Sequence, residues 1–241
     1  MTDHERFREI SSALLNVEER INKACQLTAR SRNDVTLIAV TKTYPISDIQ
    51  ILQGLGITNF GENRDSEGIE KSSAIRESVN AEPLAKTRWH YQGELQSQKI
   101  GSISRWADTV HSLDDLSHIE KFDRALDLLG GKSLGVFIQV SLDGNPNRSG
   151  LQPSDVLQVC QAVTESSYLQ LLGVMTVPPL EFDPEKSFSR IAEIAGEVKK
   201  HFPMAGYLSA GMSGDFEVAI AHGATHIRIG SQILGSRGAT P

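Results

Sequence analysis

Short apolar runs rich in β-branched residues alternate with helix-patterned segments eight times along this chain, and that alternation limits the fold more than any other feature. The first run, Val35-Thr-Leu-Ile-Ala-Val-Thr41, reads as a strand buried on both faces. Seven further strands are expected at Thr58–Phe60, Arg88–Gln92, Thr109–His111, Leu134–Ser141, Leu169–Thr176, Ala205–Ser209 and Thr225–Ile229. Helical patterns separate them, at Ile46–Leu55, Glu62–Ser78, Gln96–Ser104, Asp114–Leu129, Pro153–Thr164, Pro184–His201 and Ser213–Ala221. No Asn-Gly type of hairpin signal joins one strand to the next. Strands linked through helices must run parallel. The chain has 241 residues, and one (β/α)8 barrel needs roughly 250. The expectation is therefore an α/β fold, a single closed TIM barrel over residues 35–237.

An extra helix is expected over residues 1–30. Phe7, Ile10, Leu14, Val17, Ile21 and Ala24 recur at steps of three and four, which gathers them on one face. That face is expected to cover the outside of the barrel. Asn80–Lys86 reads as the mobile loop before strand three. No linker or repeat divides the chain, so residues 1–241 are expected to form one domain.

Charge and composition exclude some function classes. The net charge is −6, and no basic run exceeds Lys199-Lys200. Nucleic acid needs clustered cations, so it is not an expected partner. The N-terminus is polar and no apolar run reaches membrane-spanning length, which points to a cytoplasmic protein with no membrane role. Two distant cysteines, Cys25 and Cys160, make neither a disulfide framework nor a zinc motif. Gly130-Gly-Lys-Ser133 lacks the first glycine of a phosphate-binding P-loop, because position 126 is Leu. His222 and His226 lack the glutamate of a zinc-protease helix, and no metal is expected.

Barrel chemistry sits at the carboxyl ends of the strands. Gly211, Ser213 and Gly214 follow strand seven just before a helical pattern, and Gly230-Ser231 follow strand eight. Together these loops suit a phosphate group, through backbone N–H groups and hydroxyls. The plainer reading is that Ser213 caps a helix and Gly230 turns the chain. Lys42 ends strand one. It is either a solvated lysine or, if desolvated at the barrel mouth, an amine able to form a Schiff base. An aldehyde carrying a phosphate, held between Lys42 and those two loops, describes pyridoxal 5'-phosphate (PLP). In His226-Ile-Arg-Ile-Gly230, Arg228 alternates with two isoleucines and should point inward. It needs an acceptor there, which a pyridine nitrogen or a carboxylate would supply.

Six ordered motifs then carry a resemblance. They are Ala39-Val-Thr-Lys-Thr43, Phe60-Gly-Glu-Asn63, Trp89-His-Tyr-Gln-Gly93 with Leu95-Gln-Ser97, Gly173-Val-Met-Thr176, Leu208-Ser-Ala-Gly-Met-Ser213 with Asp215, and Ile227-Arg-Ile-Gly230 with Gly235. From about Val35 to Arg237 the chain resembles the YggS/PROSC group of PLP homeostasis proteins, whose fold is the alanine racemase N-terminal barrel. The resemblance implies that Lys42 is the Schiff-base lysine. It implies that Asn63 and His90 line the pocket, and that Arg228 faces the pyridine nitrogen. Ser209, Ser213, Gly230 and Ser231 become phosphate-side positions, and Met175 and Met212 complete the cofactor-binding set. Thr41 stands where Ser is common, and Glu94, Gln98 and Arg148 replace the usual His, Asn and Lys.

Racemases of this fold take a second base from a further domain of a partner subunit, and only Ser231–Pro241 follow the barrel here. The expected function is a non-catalytic PLP carrier for intracellular PLP homeostasis, with PLP-dependent apoenzymes as candidate recipients. A monomer is the default expectation. The alternatives are a PLP-dependent racemase-like enzyme and a Schiff-base aldolase acting on a sugar phosphate.

Overall fold

The computed structural model describes residues 2–77, 87–145, 147–179 and 181–235. The reading of Asn80–Lys86 as a mobile loop lies outside them, as does the barrel end at Arg237. Eight parallel strands close into a barrel in sequence order. They are β1 (Thr36–Val40), β2 (Asn59–Glu62), β3 (Arg88–Tyr91), β4 (Thr109–Leu113), β5 (Leu134–Gln139), β6 (Leu169–Met175), β7 (Tyr207–Met212) and β8 (His226–Ile229). Closure comes from β1 pairing with β8, with Ile38 opposite Arg228.

The helices form the outer layer. They are α1 (Asp3–Leu27), α2 (Ile46–Gly54), α3 (Asp65–Glu77), α4 (Ile100–Trp106), α5 (Leu116–Leu128), α6 (Val156–Glu165), α7 (Pro184–His201), α8 (Phe216–Ala221) and α9 (Ser231–Leu234). Phe122, Phe188 and Phe216 sit fully buried between helices and strands. Burying a side chain of this size stabilises the fold by about 1.5–3 kcal/mol.

Thr2 opens α1 with a capping box, its Oγ1 accepting from Glu5 N–H while Glu5 accepts from Thr2 N–H. Five of the six residues expected on its apolar face are buried, from Ile10 to Ala24, but Phe7 is 43% exposed. The apolar face is covered only from Ile10 onward. In the first turn Arg6 ties the helix down instead, donating to Asp48 of α2 and to the Leu234 carbonyl of α9.

Among the differences from the sequence reading, three bear on the site. Strand β2 runs on through Gly61 and Glu62, and α3 starts at Asp65. Ser231–Leu234 forms the short helix α9, which no periodicity marked. Strand β7 runs on to Met212 because it carries a bulge. Ser209 pairs with His226 and Met212 with Arg228, so β7 spends one residue more than β8 over the same span. Gly211 takes φ +93° there, and a Cβ on it would lie 2.7 Å from Ala219 Cβ. No helix among the described residues is long and apolar enough to cross a membrane.

Candidate functional site

A cavity of about 330 Å³ opens at the carboxyl ends of β1, β7 and β8. Its lining gathers Lys42, Met212, Ser213, Arg228, Gly230 and Ser231, six of the ten positions expected from the sequence. These span almost the whole barrel sequence, and only closure of β8 onto β1 makes them neighbours.

The turn that carries Lys42 is anchored on both sides. Before it, Thr41 is fully buried and its Oγ1 donates to Glu62 Oε1 at 2.6 Å. After it, Thr43 sits in the left-handed region at φ +69°, which a β-branched residue adopts only under constraint. Its N–H donates to Glu67 Oε2 at 2.6 Å. Lys71 of α3 joins the two carboxylates, donating to Glu62 Oε1 at 2.8 Å and Glu67 Oε2 at 2.9 Å, and also to the Thr41 carbonyl at 2.8 Å. Burial pushes the Glu62 carboxyl up against the pull of Lys71 and Thr41. Burial also works against Glu67, but the Thr43 N–H and Lys71 outweigh it and hold that carboxyl below its ordinary range. Lys42 itself is half-buried at the rim.

On the other side, the bulge turns Met212 so that its N–H donates to Asp215 Oδ1 at 2.6 Å. Ser231 Oγ donates to Ser213 Oγ at 3.3 Å, which brings the loops after β7 and β8 together. Gln232 Nε2 donates to the Ser213 carbonyl and locks the contact. Arg228 points into the barrel as its alternation with Ile227 and Ile229 requires, and both isoleucines are fully buried. It donates to Ser209 Oγ at 2.6 Å and to the Thr176 carbonyl at 3.0 Å. Both acceptors are uncharged. Burial lowers its pKa to about 10, opposed by Asp215, so it stays charged at neutral pH.

Four expected residues do not line the cavity. Ser209 lies beneath Arg228, and His90 lies deeper, with ring nitrogens on His111 at 2.9 Å and Asn59 at 3.0 Å. Met175 is buried in β6 beside Ser209. Asn63 follows β2, and its Oδ1 is buried without a hydrogen-bond partner.

Two lining residues with polar side chains, Tyr44 and Gln92, escaped the sequence reading as site positions. Tyr44 lies in an irregular turn where no periodicity marks orientation, and its hydroxyl donates to the Gly235 carbonyl at 2.6 Å. Gln92 follows β3 directly, so the rule that polar residues at strand ends need explaining applied to it as well. Its side chain lies over Gly61, where a Cβ would come within 2.3 Å of Nε2. That Nε2 is buried without an acceptor.

The alanine racemase N-terminal domain family matches residues 14–238. A pyridoxal phosphate homeostasis protein of Mycobacterium tuberculosis is 37% identical over 244 residues, covering 97% of this chain and 95% of that one. The chain belongs to the pyridoxal phosphate homeostasis protein family. PipY of Synechococcus elongatus, solved with PLP bound, superposes with a TM-score of 0.76 at 30% identity, over 91% of this chain and all of that one. An alanine racemase of Clostridium difficile shares the fold alone, with a TM-score of 0.69 at 15% identity over 96% of this chain and 58% of the racemase.

Proposed function

We propose that this chain holds PLP on Lys42 as a Schiff base and serves PLP homeostasis as a carrier rather than as a catalyst. One observation carries the reading. A single cavity presents an amine, a charged guanidinium and the hydroxyls of two apposed loops. Among the described residues that line it, no carboxylate faces the space. Such a donor-rich lining suits an anionic ligand, and the unpartnered Gln92 Nε2 adds one more donor for an acceptor-rich ring. PLP bound in PipY and the names of the curated relatives support the same ligand.

When bound, the cofactor supplies an aldehyde carbon for an amine and a pyridine ring that draws electrons. Lys42 would provide the amine. Ser213, Gly230 and Ser231 would hold the phosphate through hydroxyls and backbone amides. Arg228 is a donor without a proton to lose at neutral pH, so the ring nitrogen it meets would stay unprotonated and the ring a weaker electron sink.

One feature favours holding over turnover. Lys42, Tyr44 and Arg228 are the ionisable groups among the described lining residues. Of these, Tyr44 commits its hydroxyl to Gly235, which leaves no second group placed to move a proton on the far side of a substrate.

The test is spectroscopic and chemical. The purified protein with PLP should absorb in the visible, and borohydride should fix the cofactor's mass on the peptide containing Lys42. Lys42→Ala should lose that mass while retaining weaker, phosphate-driven binding. Trapping that needs an added ketose phosphate instead of PLP would replace this reading with an aldolase. Turnover of an amino acid, abolished in Lys42→Ala, would replace it with a PLP enzyme.

A further inference from the structure

Beneath Arg228 the barrel interior holds a line of polar side chains that the cofactor reading leaves unused. Arg228 Nη1 meets Ser209 Oγ at 2.6 Å, and Ser209 Oγ meets His111 Nδ1 at 2.8 Å. His111 Nε2 meets His90 Nδ1 at 2.9 Å, and His90 Nε2 meets Asn59 Oδ1 at 3.0 Å. These are four successive bonds through four strands, β8, β7, β4 and β3, ending on β2.

Donor and acceptor chemistry sets the direction of every link once the Asn59 amide is oriented as in the structure. Arg228 is donor-only, so Ser209 Oγ must accept from it. At the other end the Asn59 amide nitrogen donates to Thr58 Oγ1 at 3.2 Å, which turns the amide oxygen toward His90. An amide oxygen only accepts, so His90 carries its proton on Nε2. Its Nδ1 then accepts, and His111 also carries its proton on Nε2. His111 Nδ1 therefore accepts, and the Ser209 hydroxyl proton goes to it. With Asn59 so oriented, two neutral imidazoles, both Nε2–H tautomers, satisfy all four links. Burial keeps them neutral: His90 is lowered from 6.5 to about 3, and His111 well below 6.5.

We propose that Ser209, His111, His90 and Asn59 are positioning residues, a one-way hydrogen-bond chain that holds the Arg228 guanidinium at the cavity floor with uncharged acceptors. The chain has a physical advantage over a carboxylate. Each hydroxyl or imidazole that gives its proton onward becomes a better acceptor for the next donor, so the line strengthens cooperatively toward Arg228. It also leaves the positive charge un-neutralised. The guanidinium is then oriented, yet its charge still acts on whatever occupies the cavity. That last step rests on the reading of Arg228 as the ring-nitrogen contact, whereas the chain and its tautomers do not.

The experiment is nitrogen NMR on the ¹⁵N-labelled full chain, first without added cofactor. His90 and His111 should each show a protonated Nε2 and a bare Nδ1, and neither should titrate between pH 5 and 8. Resolved Arg228 Nη signals should report a guanidinium whose rotation is arrested. Nδ1–H tautomers, which are the reversed chain with a flipped Asn59, or an imidazolium at neutral pH, would overturn the proposal. Next come Ser209→Ala and His111→Phe, which should merge the Arg228 Nη signals and weaken PLP binding about three- to tenfold. His111→Asn keeps an oxygen facing Ser209 and should restore most of both. Arg228 signals unchanged in all three variants would overturn the positioning role. A wild type with the expected tautomers and no affinity for PLP would sink the functional reading instead and leave the chain standing.

Discussion

Two cations are buried beside this barrel's mouth, and they are held in opposite ways. Lys71 and Arg228 are each 5% exposed. Lys71 is surrounded by charge of the other sign, with Glu62 and Glu67 both within 2.9 Å. Arg228 meets only a hydroxyl and a carbonyl. Desolvating a charge is expensive, and a nearby carboxylate is the usual compensation. Lys71 has that compensation, and its charge is spent on holding the turn around Lys42. Arg228 has no carboxylate in hydrogen-bond contact and feels Asp215 only at a distance, so most of its charge remains for a ligand. A cation held by neutral acceptors is thus the better mark of a binding group than burial alone.

Acidification should separate the two most strongly. The acceptors under Arg228 include His111 and His90, which must stay uncharged, and His226 sets its ring against His111; burial lowers His90 to about 3, His111 well below 6.5 and His226 to about 4. The unfolded chain takes up those protons below pH 6.5 while the folded chain does not. Stability should therefore be full above about pH 6.5 and fall as pH drops toward 4, by about 1.4 kcal/mol per pH unit for each histidine. Denaturant midpoints across that range, compared with His90→Gln, measure it. A flat profile would mean the histidine layer is not the weak point.

Removing Lys71 should be the next largest effect. Lys71→Met strands Glu62 in the interior and should cost about 3–5 kcal/mol. Lys71→Met combined with Glu62→Met should recover most of that, since a well-packed apolar pair can replace a buried ion pair. Additive losses in this double-mutant cycle would mean the pair is not coupled.

Arg228→Met should reverse the pattern, with a small change in unfolding midpoint and PLP binding weakened about tenfold or more, as expected for a lost charged hydrogen bond. Equal stability losses at Lys71 and Arg228 would erase the contrast between them. The smallest effect belongs to Gln92. Its buried Nε2 has no acceptor, so Gln92→Leu should leave stability within about 1 kcal/mol or raise it. Titration with PLP then tells whether that amide serves the ligand, since a Kd raised about threefold is the expected signature of one neutral hydrogen bond.

Much of this site was legible before any coordinates. Lys42 follows a run of apolar residues, and Arg228 stands between two isoleucines, so periodicity alone turned one toward the mouth and the other inward. His90 misled for a definable reason. The same period places it inside the barrel, but not at which depth, and its partner His111 lies 21 residues away. The family resemblance makes Ser209 a phosphate-side position, at the point where the sequence pattern ends strand β7. The bulge after it carries the strand on to Met212 and leaves Ser209 beneath Arg228. A bulge is set by the register of two strands and leaves no period of its own in either.

Alternating apolar runs and helix faces, by themselves, determined a parallel eight-stranded barrel and the end of it where polar groups collect. That much follows from local periodicity, because each element must bury one kind of surface. Which polar groups meet was decided only by closure of the sheet. Strand β8 against β1 brings Arg228 to the cavity that Lys42 lines, and the stagger between strands sets which side chains share a layer. Contacts across a barrel depend on the depth of each strand, a quantity no single segment of sequence carries.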